Sequence, residues 1–353
     1  MKKKMRVGLG QFSQLTDDQA KFAKQLGFDS IQLNTPQLPG TVSWAFEDLL
    51  NLRLRCESYG LTLEAIENVP IDFMYKIMLG LPGRDEQIEH YRTIIRNMGK
   101  AGIKMLGHHF MPDGTWRTSY TFPLRGGARG MGFDAAQIHT EQLNWSGNLV
   151  IERDPGHLSR LQSLVSKPIG EEEMWEYYTY FIKAVVPTAE EAGVRLALHP
   201  DDPPIPKIGG ISRLFWKMDN IKRAMAIANS DAWGIQLCLG TCSSMDGGAK
   251  TVYDMIDYFG TRGKILYVHF RDVQGTVPSF NECFLGEGNF NPVEAIQALH
   301  QVGFNGFMID DHVPWVDNDT AWGHRAHAHQ SGYLQGVLSA LEFSKPHEET
   351  NNR

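Results

Sequence analysis

The stretch EEAGVRLALHPDDPP, residues 190–204, contains the unit from which the fold of this chain is read. A polar, helix-like segment ends at Gly193, a run of apolar residues follows, and then come His199, Pro200, Asp201, Asp202 and two more prolines. A glycine just past a helix accepts the left-handed conformation that lets the chain turn into a strand. A run apolar nearly throughout suits a parallel strand covered on both faces. Proline, with its fixed φ and missing donor, stops such a strand. The unit therefore presents His199, Asp201 and Asp202 at one strand end. What they signify depends on how the other strands end.

The same unit recurs as KQLGFDSIQLN around Gly27, ESYGLTLEAIE around Gly60, KAGIKMLGHHF around Gly102 and HQVGFNGFMIDD around Gly303. Three further strands are expected over 5–11, 233–238 and 264–270, with helices over 17–26, 46–58, 84–101, 174–192 and 292–302. Eight strands alternating with helices predict an α/β fold, a (β/α)8 TIM barrel. An open doubly wound sheet usually carries a glycine-rich phosphate loop after its first strand, and GLGQFSQL at 8–15 lacks the GxGxxG pattern. The barrel is expected as a single domain over 1–345, followed by a tail at 346–353. Residues 112–171, rich in Gly, Arg, Ser and Trp, read as a long insertion after strand 4. An insertion there lands on the catalytic face. Its Trp116 and Trp145 are expected to anchor the loop.

Composition narrows the functional classes. Of 353 residues 42% are hydrophobic and 21% charged, with a net charge of −7. No basic block follows Lys2–Lys4, so nucleic acid is not the expected partner. No run of about 18 apolar residues suggests a membrane span, and the first ten residues lack the apolar core of a signal peptide. Cys56, Cys238, Cys242 and Cys283 are too few and too scattered for a disulfide framework. A cytoplasmic protein acting on a small molecule, as a homo-oligomer, is the expectation.

In a barrel all strand C-termini meet on one face. Strand three ends in Glu67, strand four in His108 and His109, strand five in His199 and strand six in Cys238. Strand seven gives His269 and Arg271, and strand eight gives Asp310, Asp311 and His312. Each residue alone has an ordinary explanation as core, cap or turn. Together, His199, Cys238, His269 and an aspartate at 310 or 311 offer two imidazoles, a thiolate and a carboxylate to a divalent ion. After strand eight the chain carries His312, His324, Arg325, His327, His329 and Tyr333. His312, beside a proposed ligand, is the strongest acid–base candidate. His327 and His329 read as a solvated helix face.

HPDDPP at 199–204, QLCLGT at 236–241, YVHFRDV at 267–273 and the pair Asp311–His312 resemble the D-mannonate dehydratase family. ENVP at 67–70, HFMP at 109–112, WRT at 116–118 and GY at 332–333 extend the resemblance, in order, over most of the chain. It implies a xylose-isomerase-like barrel that removes water from D-mannonate to give 2-keto-3-deoxy-D-gluconate. It also implies Mn²⁺, or else Fe²⁺, held by His199, Cys238, His269 and Asp311, with His312 and Tyr333 in the catalytic roles. Arg117, Arg271, His109 and Asp201 are expected around the substrate, the two arginines as a bidentate clamp on its carboxylate. Two departures fall on the active face. The family usually reads Arg-Pro-Asp-His where this chain has Ile309-Asp310-Asp311-His312, and Asn where it has His109. They keep open an isomerase or epimerase on the same barrel, or a dehydratase of another sugar acid. A non-enzymatic metal- or sugar-binding protein is the third expectation.

Overall fold

In the computed structural model the structure describes residues 4–146 and 156–343; part of the 112–171 insertion and the whole 346–353 tail lie outside that range. Eight parallel barrel strands follow one another in the expected order. They are β1 (Arg6–Val7 continued by Leu9–Phe12), β2 (Ser30–Asn34), β3 (Thr62–Glu67), β4 (Met105–His108), β5 (Arg195–Leu198), β6 (Trp233–Cys238), β7 (Ile265–His269) and β8 (Phe307–Ile309). The first half of β1 pairs with β8 and its second half with β2, so the sheet returns to its own start. That arrangement leaves no free edge.

Local chemistry explains the alternation. The helix Asp17–Gln25 starts with a capping box between Thr16 and Gln19. The helix Glu171–Ala192 stops at Gly193, whose φ of +63° redirects the chain into β5. The same left-handed turn recurs at Gly27, Gly60, Gly102 and Gly303. The main core lies between the strands and the surrounding helices. A second, smaller cluster joins Ala65, Ala197, Leu266, Tyr267, Phe307 and Ile309. There Tyr267 stacks on Phe307 with ring centroids 5.0 Å apart and donates from its hydroxyl to Gln236 Oε1 at 2.6 Å.

The insertion is more ordered than its composition suggests. Ser119–Pro123 and Arg129–Asp134 form a hairpin, and a helix covers His157–Ser163. A second hairpin, Asp272–Thr276 with Ser279–Cys283, follows β7. The two hairpins join, Ser279–Asn281 running antiparallel to Gly132–Asp134, into a four-stranded sheet. Trp116 and Trp145 are buried and donate to Asp113 and to the Gly209 carbonyl, so both anchor the insertion as expected.

Candidate active site at the barrel mouth

Pairing register builds the site. Cys238 lies opposite His269, and His269 opposite Ile309, after which Asp310 and Asp311 leave the sheet. His199 follows β5, whose Leu198 is paired with His108. As a result, ligand atoms of His199, Cys238 and His269 all lie within 4.8 Å of one another, in buried surroundings. Asp311 borders this group. Its carboxylate is 3.7 Å from the Cys238 sulfur and 3.2 Å from His269 Nδ1. Asp311 reaches this point with φ +51°, a conformation costly for a residue bearing a Cβ.

Each of these donor groups is oriented from behind. His199 Nδ1 donates to the Pro200 carbonyl at 2.6 Å, which leaves Nε2 for the cluster. Nε2 of His269 lies 3.2 Å from Glu67 Oε2 and 2.7 Å from the Gln236 amide nitrogen, while Nδ1 lies on the Asp311 side. A carboxylate behind a ligating imidazole fixes its tautomer and raises its basicity. Gln32 in turn donates to Glu67, and Gln11 donates to Asp311 at 2.8 Å. The Cys238 sulfur accepts from Thr241 N at 3.5 Å and Thr241 Oγ1 at 3.3 Å. Burial alone would raise this thiol, but Arg271 and the two imidazoles outweigh it and bring it down to about 6. A thiolate, two oriented imidazoles and a carboxylate are a donor set suited to a divalent transition metal.

Over these ligands sits a buried charge cluster that sequence reasoning only partly found. Arg117 donates to both oxygens of Asp202, at 2.9 and 2.8 Å, and from Nε and Nη2 to Glu282 Oε1, at 3.1 and 2.6 Å. Arg271 donates to Asp202 Oδ2 at 2.8 Å and Thr241 Oγ1 at 2.9 Å. A side chain at Gly240 would collide with Arg271, which accounts for the glycine in that position. His312 Nδ1 lies 2.9 Å from Glu282 Oε1. The two arginines are therefore already engaged by protein carboxylates. His312 remains 25% exposed, while its partners Arg271, Asp202 and Glu282 are at 7% or less. Burial would lower His312, but Asp311 and Glu282 outweigh it and raise it.

The remaining expected residues are distributed differently. His109 is half-buried at the mouth, with Nδ1 accepting from Met111 N at 3.1 Å, and burial beside His199 lowers it to about 4. Asp201 points elsewhere. Its carboxylate accepts from Phe215 N at 2.8 Å, and its charged neighbours are Arg213 and Asp113. Tyr333 is half-buried on the helix His324–Phe343, and its hydroxyl would be 3.6 Å from a Cβ at Gly286. None of the site's hydrogen bonds among the described residues includes it. His327 requires a correction: it is buried, stacks on Trp322 at 4.0 Å and bonds Asp310 Oδ2 at 3.0 Å, because strand eight ends in an acid that needs a partner. His329 is exposed, as expected.

Glu282, Asp202 and Glu67 are the residues missing from the sequence-derived site. Asp202 stood beside the expected Asp201, and Glu67 at an expected strand end. Glu282 carries no local signal: it lies on the second strand of the hairpin that begins in YVHFRDV, opposite Val273 and outside the motif itself.

The family model for D-mannonate dehydratase (UxuA) matches residues 15–348. The chain belongs to the D-mannonate dehydratase family. Mannonate dehydratase 2 of Halalkalibacterium halodurans is 33% identical over 313 residues, which are 84% of this chain and 88% of that protein. Mannonate dehydratase of Thermotoga maritima is 34% identical over 325 residues, 86% of this chain and 88% of the relative. The crystal structure of mannonate dehydratase from Streptococcus suis serotype 2 superposes with a TM-score of 0.81 at 27% identity, covering 95% of this chain and 94% of that one. L-ribulose 3-epimerase shares the fold at TM-score 0.57 and 17% identity. As in that family, this is a xylose-isomerase-like TIM barrel. No helix among the described residues is long and apolar enough to cross a membrane.

Proposed function

We propose that the protein is a metal-dependent hydro-lyase that converts D-mannonate to 2-keto-3-deoxy-D-gluconate and water. The observation that carries this reading is the convergence of His199, Cys238 and His269, with Asp311 beside them, and a partly open histidine, His312, at one barrel mouth in a chain of this family. His199, Cys238, His269 and Asp311 would hold the ion. Mn²⁺ ranks first by family and Fe²⁺ second, the thiolate favouring the softer ion. When bound, a divalent cation supplies Lewis-acid stabilisation of negative charge on substrate oxygens.

The chain's own groups account for proton movement. His312 Nε2 takes the proton from C2. The electrons of that C–H bond become the C2–C3 double bond as the C3–O bond breaks. The departing hydroxyl receives a proton from the imidazolium and leaves as water, and the enol tautomerises to the 2-keto product. One group thus serves as base and then acid, a role His312 can fill without Tyr333, which joins none of the site's hydrogen bonds among the described residues.

The departures from the family bear less on the substrate than the sequence suggests. Ile309 is buried in the small cluster with Tyr267 and Phe307. Asp310 is buried against His327 and Ser331. Only His109 remains half-buried at the mouth, so the sugar-acid reading is favoured over an isomerase or epimerase. A cytoplasmic location, where the four free cysteines stay reduced, and homo-oligomeric assembly belong to the same proposal.

The test is turnover of D-mannonate by metal-stripped protein reloaded with Mn²⁺ or Fe²⁺, read as 2-keto-3-deoxygluconate. Activity should require the ion and fall about 10²–10⁴-fold in His312→Asn. A metal-filled protein that forms no product overturns the substrate assignment.

A further inference from the structure

The hairpin after β7 does more than roof the barrel. It brings a single carboxylate, Glu282, down onto His312. We propose that Glu282 is the positioning residue of His312, holding Nδ1–H so that Nε2 faces the substrate. This rests on the reading of His312 as the proton-transfer group.

Three observations converge. First, Glu282 Oε1 is the only carboxylate oxygen that hydrogen-bonds an imidazole nitrogen of His312 among the described residues, at 2.9 Å from Nδ1. Arg271 Nη1 lies 3.0 Å from the same nitrogen and pairs with Glu282 Oε1 at 3.4 Å, so Nδ1 faces one donor and one acceptor. Of the two, Glu282 alone can accept, so it is Glu282 that holds a proton on Nδ1 and leaves Nε2 as the free base, against the pull of the Arg271 donor. Secondly, Glu282 cannot swing away. Arg117 holds it with two N–H groups while the same guanidinium grips Asp202, and its side chain is 7% exposed. Thirdly, the hairpin is fixed at its foot. Asp272, paired with Cys283, accepts from the backbone N–H groups of Val273, Gly286, Gly288 and Asn289 at 2.9–3.1 Å. Its far edge is hydrogen-bonded to the insertion hairpin. A rigid support of this kind is what a first-rank catalytic group needs to stay within a fraction of an ångström of its working position.

An amide in place of such a carboxylate lets the imidazole adopt the other tautomer. In the Ser-His-Asp triad that exchange costs about 10⁴ in kcat. The experiment compares wild type, Glu282→Gln, His312→Asn and the double variant, each loaded with metal. Glu282→Gln should lower kcat about 10²–10⁴-fold with KM within threefold and metal content unchanged. In the His312→Asn background the same substitution should cost nothing further, because the residue acts through His312. A full additional loss in the double variant, or a raised KM at unchanged kcat, overturns the proposal.

A second readout does not use activity. In protein with ¹⁵N-labelled histidine and bound Zn²⁺, the His312 ring should show Nδ1–H in wild type and Nε2–H in Glu282→Gln. An unchanged tautomer overturns the proposal. A tautomer switch in a protein that never dehydrates D-mannonate leaves the positioning role standing and removes the substrate reading instead. If Glu282→Gln does not fold, Glu282→Asp keeps the charge between the arginines and withdraws the oxygen by one methylene. It should lose kcat while remaining folded, and full activity in that variant overturns the proposal.

Discussion

Two buried charge clusters meet at adjacent residues of the HPDDPP turn, and they differ in balance. In the first, Arg117 and Arg271 face Asp202 and Glu282, with Asp311 also 3.5 Å from Arg271 and His312 2.9 Å from Glu282. In the second, Arg213 alone faces Asp113 and Asp201. Burial raises every carboxylate in both. In the first cluster the cations win: Arg117 and Arg271 take Asp202 far below the usual range, and His312, Arg117 and Arg271 bring Glu282 down to about 2. In the second cluster burial wins, and Asp201 rises to about 6. Neighbouring aspartates in one turn thus end with opposite shifts. The balanced cluster keeps fixed charges beside His312, whereas the unbalanced one anchors the insertion through Asp113, Trp116 and the Gly114 carbonyl. A site that must act on a proton needs the first kind of environment; a scaffold tolerates the second.

Substitutions can break or sharpen this contrast. The largest effect is expected from Arg117→Met. It strands Asp202 and Glu282 in a dry site, costing about 3–5 kcal/mol, and should abolish activity, as read by thermal unfolding and turnover. Arg213→Met should cost a similar amount at pH 8 but less at pH 5, because Asp201, raised to about 6, takes up a proton there. Equal loss at both pH values would erase the distinction between the clusters.

Asp202→Asn should lower kcat/KM by at least about tenfold, since both arginines and through them Glu282 lose their anchor. Asp201→Asn should change kcat/KM less than about threefold, within the range of distant substitutions. Comparable losses from the two would return Asp201 to the substrate.

Acid stability gives a smaller signal. Glu282 has its folded value depressed from 4.5 to about 2, so its contribution is complete above 4.5 and is lost as the pH falls toward 2. The gap in Tm between wild type and Glu282→Gln should therefore narrow as the pH drops from 7 to about 2.5. A gap that stays constant would mean the carboxylate is not held as a charge. Least of all, Tyr333→Phe should leave kcat within about threefold, given its placement beside Gly286. A loss near that of His312→Asn would restore Tyr333 to the acid–base chemistry.

Strand and helix periodicity, the glycines that close each helix, and the residues ending each strand were all legible in the chain. These are local properties: turn chemistry and apolar patterning act over a few residues, and the closed barrel then brings the strand ends together without further information. Hence His199, Cys238, His269, an aspartate at 310 or 311 and His312 could be expected at one barrel mouth from their order alone, and the family resemblance pointed to Asp311. Tertiary structure alone decided which neighbour faces inward. Asp201 and Asp202 are indistinguishable in sequence, and only the position of three arginines separates them. His327 looked solvated until Asp310 buried itself beside it. Glu282 was invisible because its partners Arg117 and His312 are 165 and 30 residues away. Such a contact exists only once two hairpins from different barrel loops have paired over the mouth.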